Sequence, residues 1–341
     1  MPNSTSAQTG TSVETGVFAE TGIPVETGTP GPLDVHGLIC VEPPYFALRD
    51  LRREAPGEVT AEIAVEADGG RQATPIGISE IGRHLAIAGL CAAATVNPRE
   101  GRHFYLARAA RGSWHAPATP PGTHPVDGLI GRAGAVFSSP RRVAAGTCLT
   151  SRDGTLLATL DVEYDVLAQP VFERVLGDRV PDAPVTVNPY SLPMPLRQVE
   201  VRGGHGSAAL TVTPEMCPGH FAGHPVLPVA TLSVGMTTLI DHAVAARGRH
   251  LRWLPVTWFL SADKLVHAGE TVVFEGEVTY AAEDPKGALG AAGAAASFRG
   301  TARVGSETVA EAGVDLLLVD DGVPGVLRPA SPSAVRPAPH A

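Results

Sequence analysis

The chain has 341 residues, 44% hydrophobic and 18% charged, which supplies enough apolar material for a substantial core and enough length for two domains. A formal charge of −9, with no extended Lys/Arg cluster, argues against a nucleic-acid partner. Four scattered cysteines (Cys40, Cys91, Cys148, Cys217) form no C-x-x-C pair, which argues for reduced thiols and against a disulfide framework or a zinc site.

The first residues show neither the basic region nor the apolar core of a signal peptide. The apolar runs are broken by polar residues and glycine, so no membrane span is expected, and the expected location is cytoplasmic. Residues 1–33 are rich in Thr, Gly, Ser and Pro, with Glu-Thr-Gly recurring at Glu14, Glu20 and Glu26. Such a segment cannot bury enough apolar surface to offset its ordering entropy, so it is expected to be disordered, as is the Pro/Ala/Ser stretch 323–341. Three copies of a six-residue period are too few for a solenoid.

Between these tails, residues 181–197 hold five prolines and read as a linker. They separate an expected N-terminal domain (34–180) from a C-terminal one (198–322). In the first, Val59–Val65 alternates as a strand and Ile76–Val96 is an apolar run stopped by Asn97-Pro98; strand-like segments follow at His103–Ala110, Arg142–Thr150 and Thr155–Leu167. In the second, Ala208–Thr213 reads as a strand and Pro228–Arg247 as a helix ended by Gly248. Strands are then expected at Leu251–Phe259, Thr271–Tyr280, Ala295–Val304 and Thr308–Val319. Each half is a strand, a buried helix, and a run of strands whose short connections require antiparallel pairing. The fold class is therefore α+β, with a duplication carried by pattern and not by residue identity.

The motif that stands out is His220 to Pro228, HFAGHPVLP, immediately before the apolar helix. Gly223, Pro225 and Pro228 forbid a regular element there, so His220 and His224 sit on a constrained turn. His-Phe-x-Gly-x-Pro-x-x-Pro followed by a buried helix resembles the FabA/FabZ group of acyl-carrier-protein dehydratases. That resemblance implies a hot-dog fold, a long central helix wrapped by an antiparallel sheet, and for the whole chain a tandem double hot dog. The halves would pack as a pseudo-dimer within one chain, with homodimerisation left open. It further implies His220 as the catalytic histidine and the backbone N–H at Gly223 as the donor for the thioester oxygen. Two departures stand out: Val229 replaces the glycine at the helix entry, and Val234 falls where the family has its catalytic acid.

The missing acid has a counterpart in the first half. Glu80 and His84 begin the Ile76–Val96 run at a spacing of four, which places them on one helical face, where the family's helix carries its acid and a following Gln or His. Fourteen positions before Glu80 stands Glu66, not histidine. In paired hot dogs of that family, histidine and acid come from different partners, so the resemblance implies one composite site of His220 and Glu80 and one dead site of Glu66 and Val234. This resembles polyketide-synthase dehydratase domains, although there the histidine half comes first. The activity so implied is dehydration of a 3-hydroxyacyl thioester carried on acyl-carrier protein or coenzyme A, in fatty-acid or polyketide-type metabolism. Histidine suits removal of the α-proton, and a carboxylic acid kept protonated by burial suits the departing hydroxyl. Neither metal nor cofactor is expected.

Three other readings stay open: a thioesterase, an acyltransferase resembling the A-factor synthase group, and a non-catalytic acyl-binding protein. Glu80 also reads as a residue favoured by the positive end of its helix, with Arg83 as its ion-pair partner. Arg202 to Gly206 reads as a hairpin turn, Cys217 as a bystander or a nucleophile beside His220, and the small basic cluster Arg49, Arg52 and Arg53 as a solvated helix face or a contact for an acidic carrier protein.

Overall fold

The computed structural model describes residues 30–120, 128–177, 185–281 and 294–320. The first stretch of chain supplies strands β1 (Gly31–Pro32), β2 (Leu48–Ala55), β3 (Glu58–Ile63), β4 (His103–Trp114), β5 (Leu129–Ser139), β6 (Arg142–Thr150) and β7 (Leu156–Ala168). Helix α1 (Ile78–Thr95) lies between β3 and β4, and a short helix α2 (Gln169–Leu176) follows β7. The second supplies β8 (Arg197–Arg202), β9 (His205–Thr211), β10 (Val226–Leu227), β11 (Leu251–Ala262), β12 (Val266–His267), β13 (Thr271–Tyr280), β14 (Ala294–Val304) and β15 (Glu307–Asp320). Helix α3 (Val229–Arg247) lies between β10 and β11.

Thirteen of these strands form one large sheet, antiparallel at every pairing, in the order β1-β2-β3-β5-β6-β7-β4-β11-β15-β14-β13-β9-β8. Its centre is the pairing of β4 with β11, where Gly112 faces Trp258. Outward from that pair the two halves repeat one order: 4-7-6-5-3-2 on one side and 11-15-14-13-9-8 on the other. The two halves of the sheet thus share one strand order. The β4–β11 pairing also removes two edges that would otherwise carry unpaired backbone groups.

Each of the two long helices packs on strands of its own half. Helix α1 packs on β5, β6 and β3, burying Ile81, Leu85, Ala88, Cys91 and Ala92. Helix α3 packs on β11, β9 and β13, burying Leu232, Met236, Leu239, Ile240 and Val244. By length and composition α3 would suit a membrane span, with a mean hydropathy of 1.3, so the expectation that glycine and polar residues disqualify every run fails for it. Its apolar face is instead spent on the sheet. The helices touch each other where Ser79 Oγ lies 3.3 Å from Thr237 Oγ1.

Several local expectations change. Gly31 and Pro32, assigned to the N-terminal tail, pair as a strand with Arg53 and Arg52; the remaining tail, with its Glu-Thr-Gly repeats, and residues 323–341 lie outside the described residues. Arg49, Arg52 and Arg53 stand on strand β2 and not on a helix; Arg49 and Arg52 are exposed, and Arg53, next in line and on the other face, is half-buried. Gly203 and Gly204, both at positive φ, turn β8 into β9 as a two-residue hairpin, as expected.

Candidate active site

His220 sits between the short 3-10 turn Pro214–Met216 and β10, on a turn closed by His220 N–H donating to Cys217 O at 3.3 Å and His224 N–H to Phe221 O at 2.9 Å. Gly223 adopts φ 80, the left-handed region that its place in the turn requires. The turn is held from below by aromatic packing. Phe221 meets Phe104 and Phe172 at 5.5 and 4.9 Å between ring centroids, and Phe172, from α2, stands edge-on to His224. Such pairs are each worth about 0.5–1.5 kcal/mol beyond area burial. Residues Glu42 and Pro43 press on the turn from the first half: Glu42 N–H donates to Gly219 O at 2.8 Å, and a Cβ on Gly219 would lie 2.2 Å from Glu42 O.

His220 itself is buried, and its Nδ1 lies 3.2 Å from Val226 O. A carbonyl only accepts, so Nδ1 carries the proton and Nε2 presents its lone pair. Burial pulls the imidazole pKa down to about 4, with the Val226 bond opposing, so the ring is neutral across the physiological range. This is the protonation state and tautomer of a general base.

Its neighbours are not those anticipated. Tyr45, from the first half, stands edge-on to His220 with centroids 5.0 Å apart, and Tyr190 stands edge-on to Tyr45 at 5.0 Å. Tyr190 belongs to the stretch expected to be a plain linker; there Asn188 caps the 3-10 turn Pro189–Ser191 and Tyr190 donates its hydroxyl to Pro218 O at 2.8 Å. Burial pushes both phenols well above the usual tyrosine range.

Glu80 is also buried, but its oxygens face its own half. Oε1 accepts from Glu66 N–H at 2.6 Å, and Oε2 from Ala67 N–H at 3.4 Å. Among the described residues no bond links Glu80 to His220. Arg83 pairs with Glu66, not with Glu80 as the sequence reading had it, and Glu66 Oε1 accepts from Asn188 Nδ2 at 3.0 Å. His84 Nε2 lies 3.4 Å from Glu80 Oε1 and 3.3 Å from Arg83 Nη2; burial lowers its pKa, so the neutral ring serves one of these neighbours at a time. The structure thus groups Glu66, Glu80, Arg83 and His84 in one cluster, and His220, Tyr45 and Tyr190 in another. Arg83 joins them, its guanidinium carbon 5.3 Å from the centre of the Tyr190 ring. Val234 lies on α3, with nothing ionisable in its place.

The ligand atoms of Glu66, Glu80 and His84 lie within 4.8 Å of one another, a spacing compatible with a metal. Arg83 already places a positive charge against Glu66 and His84, where a cation's charge would stand. Burial pushes the Cys217 thiol up to about 12 and its Sγ donates to Thr213 O, both of which disfavour the thiolate that a nucleophile needs. Sequence reasoning missed Tyr45, Asn188 and Tyr190, which lie far from the motif in sequence and carry no pattern of their own. A tyrosine and an asparagine inside a proline-rich stretch were the only signal.

No protein-family model and no curated protein matches the chain. Among solved structures, the chain is similar to a protein of unknown function with a hot-dog fold from Alicyclobacillus acidocaldarius, at 12% identity and a TM-score of 0.49, covering 82% of this chain and 99% of that one. It is similar to the 12:0-ACP thioesterase from Umbellularia californica at 9% identity and a TM-score of 0.49, covering 77% and 95%. A third is an acyl-ACP thioesterase from Bacteroides thetaiotaomicron, at 12% identity and a TM-score of 0.47, covering 76% and 98%.

Proposed function

We propose that the chain is a tandem double hot dog that hydrolyses acyl thioesters, with His220 as the general base that activates water. The observation that carries this is the His220 ring itself: buried, neutral, and held by Val226 so that Nε2 offers its lone pair. The turn motif supports the substrate class by its resemblance to acyl-thioester enzymes, and gives Gly223 the place of the oxyanion donor.

The leaving group separates hydrolysis from dehydration. A thiol has a pKa of about 8.5, so a thiolate departs without a strong acid at hand. Hydroxide, the conjugate base of water with a pKa of about 15.7, needs a proton delivered as it leaves. The acid expected to deliver it, Glu80, is engaged with Glu66, Ala67 and His84. One base and an oxyanion donor suffice for the first reaction and not for the second.

The dehydratase reading keeps one observation in its favour, the protonated Tyr45 phenol edge-on to His220. Product analysis on a 3-hydroxyacyl thioester, presented on carrier protein and on coenzyme A, decides. A free thiol and a 3-hydroxy acid support hydrolysis, and an enoyl thioester with the thiol still acylated overturns it. Release of thiol only when an acceptor alcohol is added identifies an acyltransferase. Tight binding with no product from either carrier identifies a non-catalytic acyl-binding protein.

A further inference from the structure

Arg83 is a charged side chain only 4% exposed, on the first turns of α1. Its Nη2 is spent on Glu66 and lies near His84, yet Nη1 and Nε are buried with no hydrogen-bond partner. Buried N–H groups left unpaired cost stability, and native proteins leave few of them. The guanidinium lies against Tyr190, the second of the two tyrosines that lead to His220. A binding site lined by that path would bring an acyl chain past two rings and onto unpaired donors.

We propose that Arg83 is a specificity-determining residue whose Nη1 and Nε receive a neutral oxygen, a keto or hydroxyl group, on the acyl chain of the substrate. The charge balance selects neutral over anionic: Glu66 already neutralises the guanidinium, and Glu80, bonded to Glu66 N–H, adds a second carboxylate to the cluster. A carboxylated chain would bring a third. A plain hydrocarbon chain leaves the donors unpaired, and a site built to pair a polar group rejects ligands that lack it. This rests on the acyl-thioester reading of the His220 site.

The test measures binding separately from turnover, using acyl-pantetheine analogues in which a methylene replaces the thioester sulfur, so that none can be hydrolysed. Plain, 3-oxo, 5-oxo and terminally carboxylated chains of equal length are titrated by calorimetry. Wild type is expected to prefer one of the oxo chains over the plain chain by roughly 10- to 100-fold, and to disfavour the carboxylated one. Arg83→Met with Glu66→Gln removes both charges of the pair, so that neither is left buried alone, and should bring the ratio between oxo and plain chains to about one. A merely structural Arg83 would weaken all ligands together and leave the ratio intact; that result, or a wild type without preference, overturns the proposal. Preference without thioester turnover sustains Arg83 and removes the hydrolytic reading. Failure of every analogue to bind removes both.

Discussion

The Nδ1 of His220 points at the Val226 carbonyl, 3.2 Å away and six residues further along the same turn. A loop closed by Gly223, Pro225 and Pro228 thus orients the imidazole and selects its tautomer without a carboxylate. His220→Ala should lower turnover by roughly 10²–10⁴-fold, the range for a general base. With a pKa of about 4, kcat/KM should stay level from neutral pH down to about 5 and fall tenfold per pH unit below about 4. A level profile in the His220→Ala enzyme over the same range, with wild-type rates, would remove His220 from the chemistry.

Glu80 is predicted to be structural. Replacing it by Gln keeps one oxygen for the Glu66 N–H but puts an amide N–H₂ where Ala67 N–H seeks an acceptor. The expected cost is about 1–3 kcal/mol in stability, read from denaturant melts, with turnover within about tenfold of wild type. A drop of 10²–10⁴-fold in kcat at unchanged stability would instead restore Glu80 as the catalytic acid.

The legible part of the fold was the part written in periodicity. Arg142–Thr150 and Thr271–Tyr280 were delimited to the residue, and both long helices to within two, because their apolar patterns have clear stops at Asn97-Pro98 and Arg247-Gly248. Strands β5 and β8 were passed over since glycine and alternating charge mask them, LIGRAGAVFSS and RQVEVR. Around the candidate site, the turn that holds His220 was legible because glycine and proline mark it. The grouping of residues was not. Glu80 and His84 share a helical face as spacing requires, but which way a carboxylate turns depends on the backbone N–H groups of Glu66 and Ala67, a tertiary fact. Tyr45 reaches His220, and Tyr190 reaches Tyr45 and Pro218 O, through contacts between segments far apart in the chain.

Each long helix carries a glycine with no room for a Cβ beside its sheet. A Cβ on Gly89 would lie 2.6 Å from the Tyr164 hydroxyl and 2.9 Å from Ala145 Cβ; on Gly235 it would lie 2.5 Å from Phe274 Cζ. Alanine gains about 1 kcal/mol of helix propensity at such positions. Overpacking against a side chain that is itself fully buried costs about 1–3 kcal/mol, so both Gly89→Ala and Gly235→Ala should lower the melting temperature. A rise in melting temperature for either would show that its helix stands further from the sheet.

Asp241 on α3 accepts from Trp253 Nε1 at 2.7 Å and from the Arg71 backbone N–H at 3.3 Å, so it ties α3 to its own strand and to the loop before α1. Burial, opposed by those two bonds, raises its pKa from 3.8 to about 6. Between these values the folded protein holds a proton that the unfolded chain has released. Stability from this group is therefore complete below about pH 4 and lost as pH rises to about 6, by roughly 3 kcal/mol. His220 runs the other way: its pKa falls from 6.5 to about 4, so the unfolded chain takes up a proton first, and stability falls by a similar amount as pH drops from about 6.5 to 4. His84, lowered by burial, adds to the His220 direction. In wild type the slopes of Asp241 and His220 oppose each other over much of the same window. Each variant should expose what remains: Asp241→Asn, which keeps an oxygen for Trp253 and Arg71, should be more stable than wild type above about pH 6 and should lose stability as pH falls to 4. His220→Gln should respond less steeply than Asp241→Asn over that interval. Denaturant melts at half-unit steps between pH 4 and 7 measure both slopes, and parallel curves for the two variants would show that these groups titrate alike in the folded and unfolded chains.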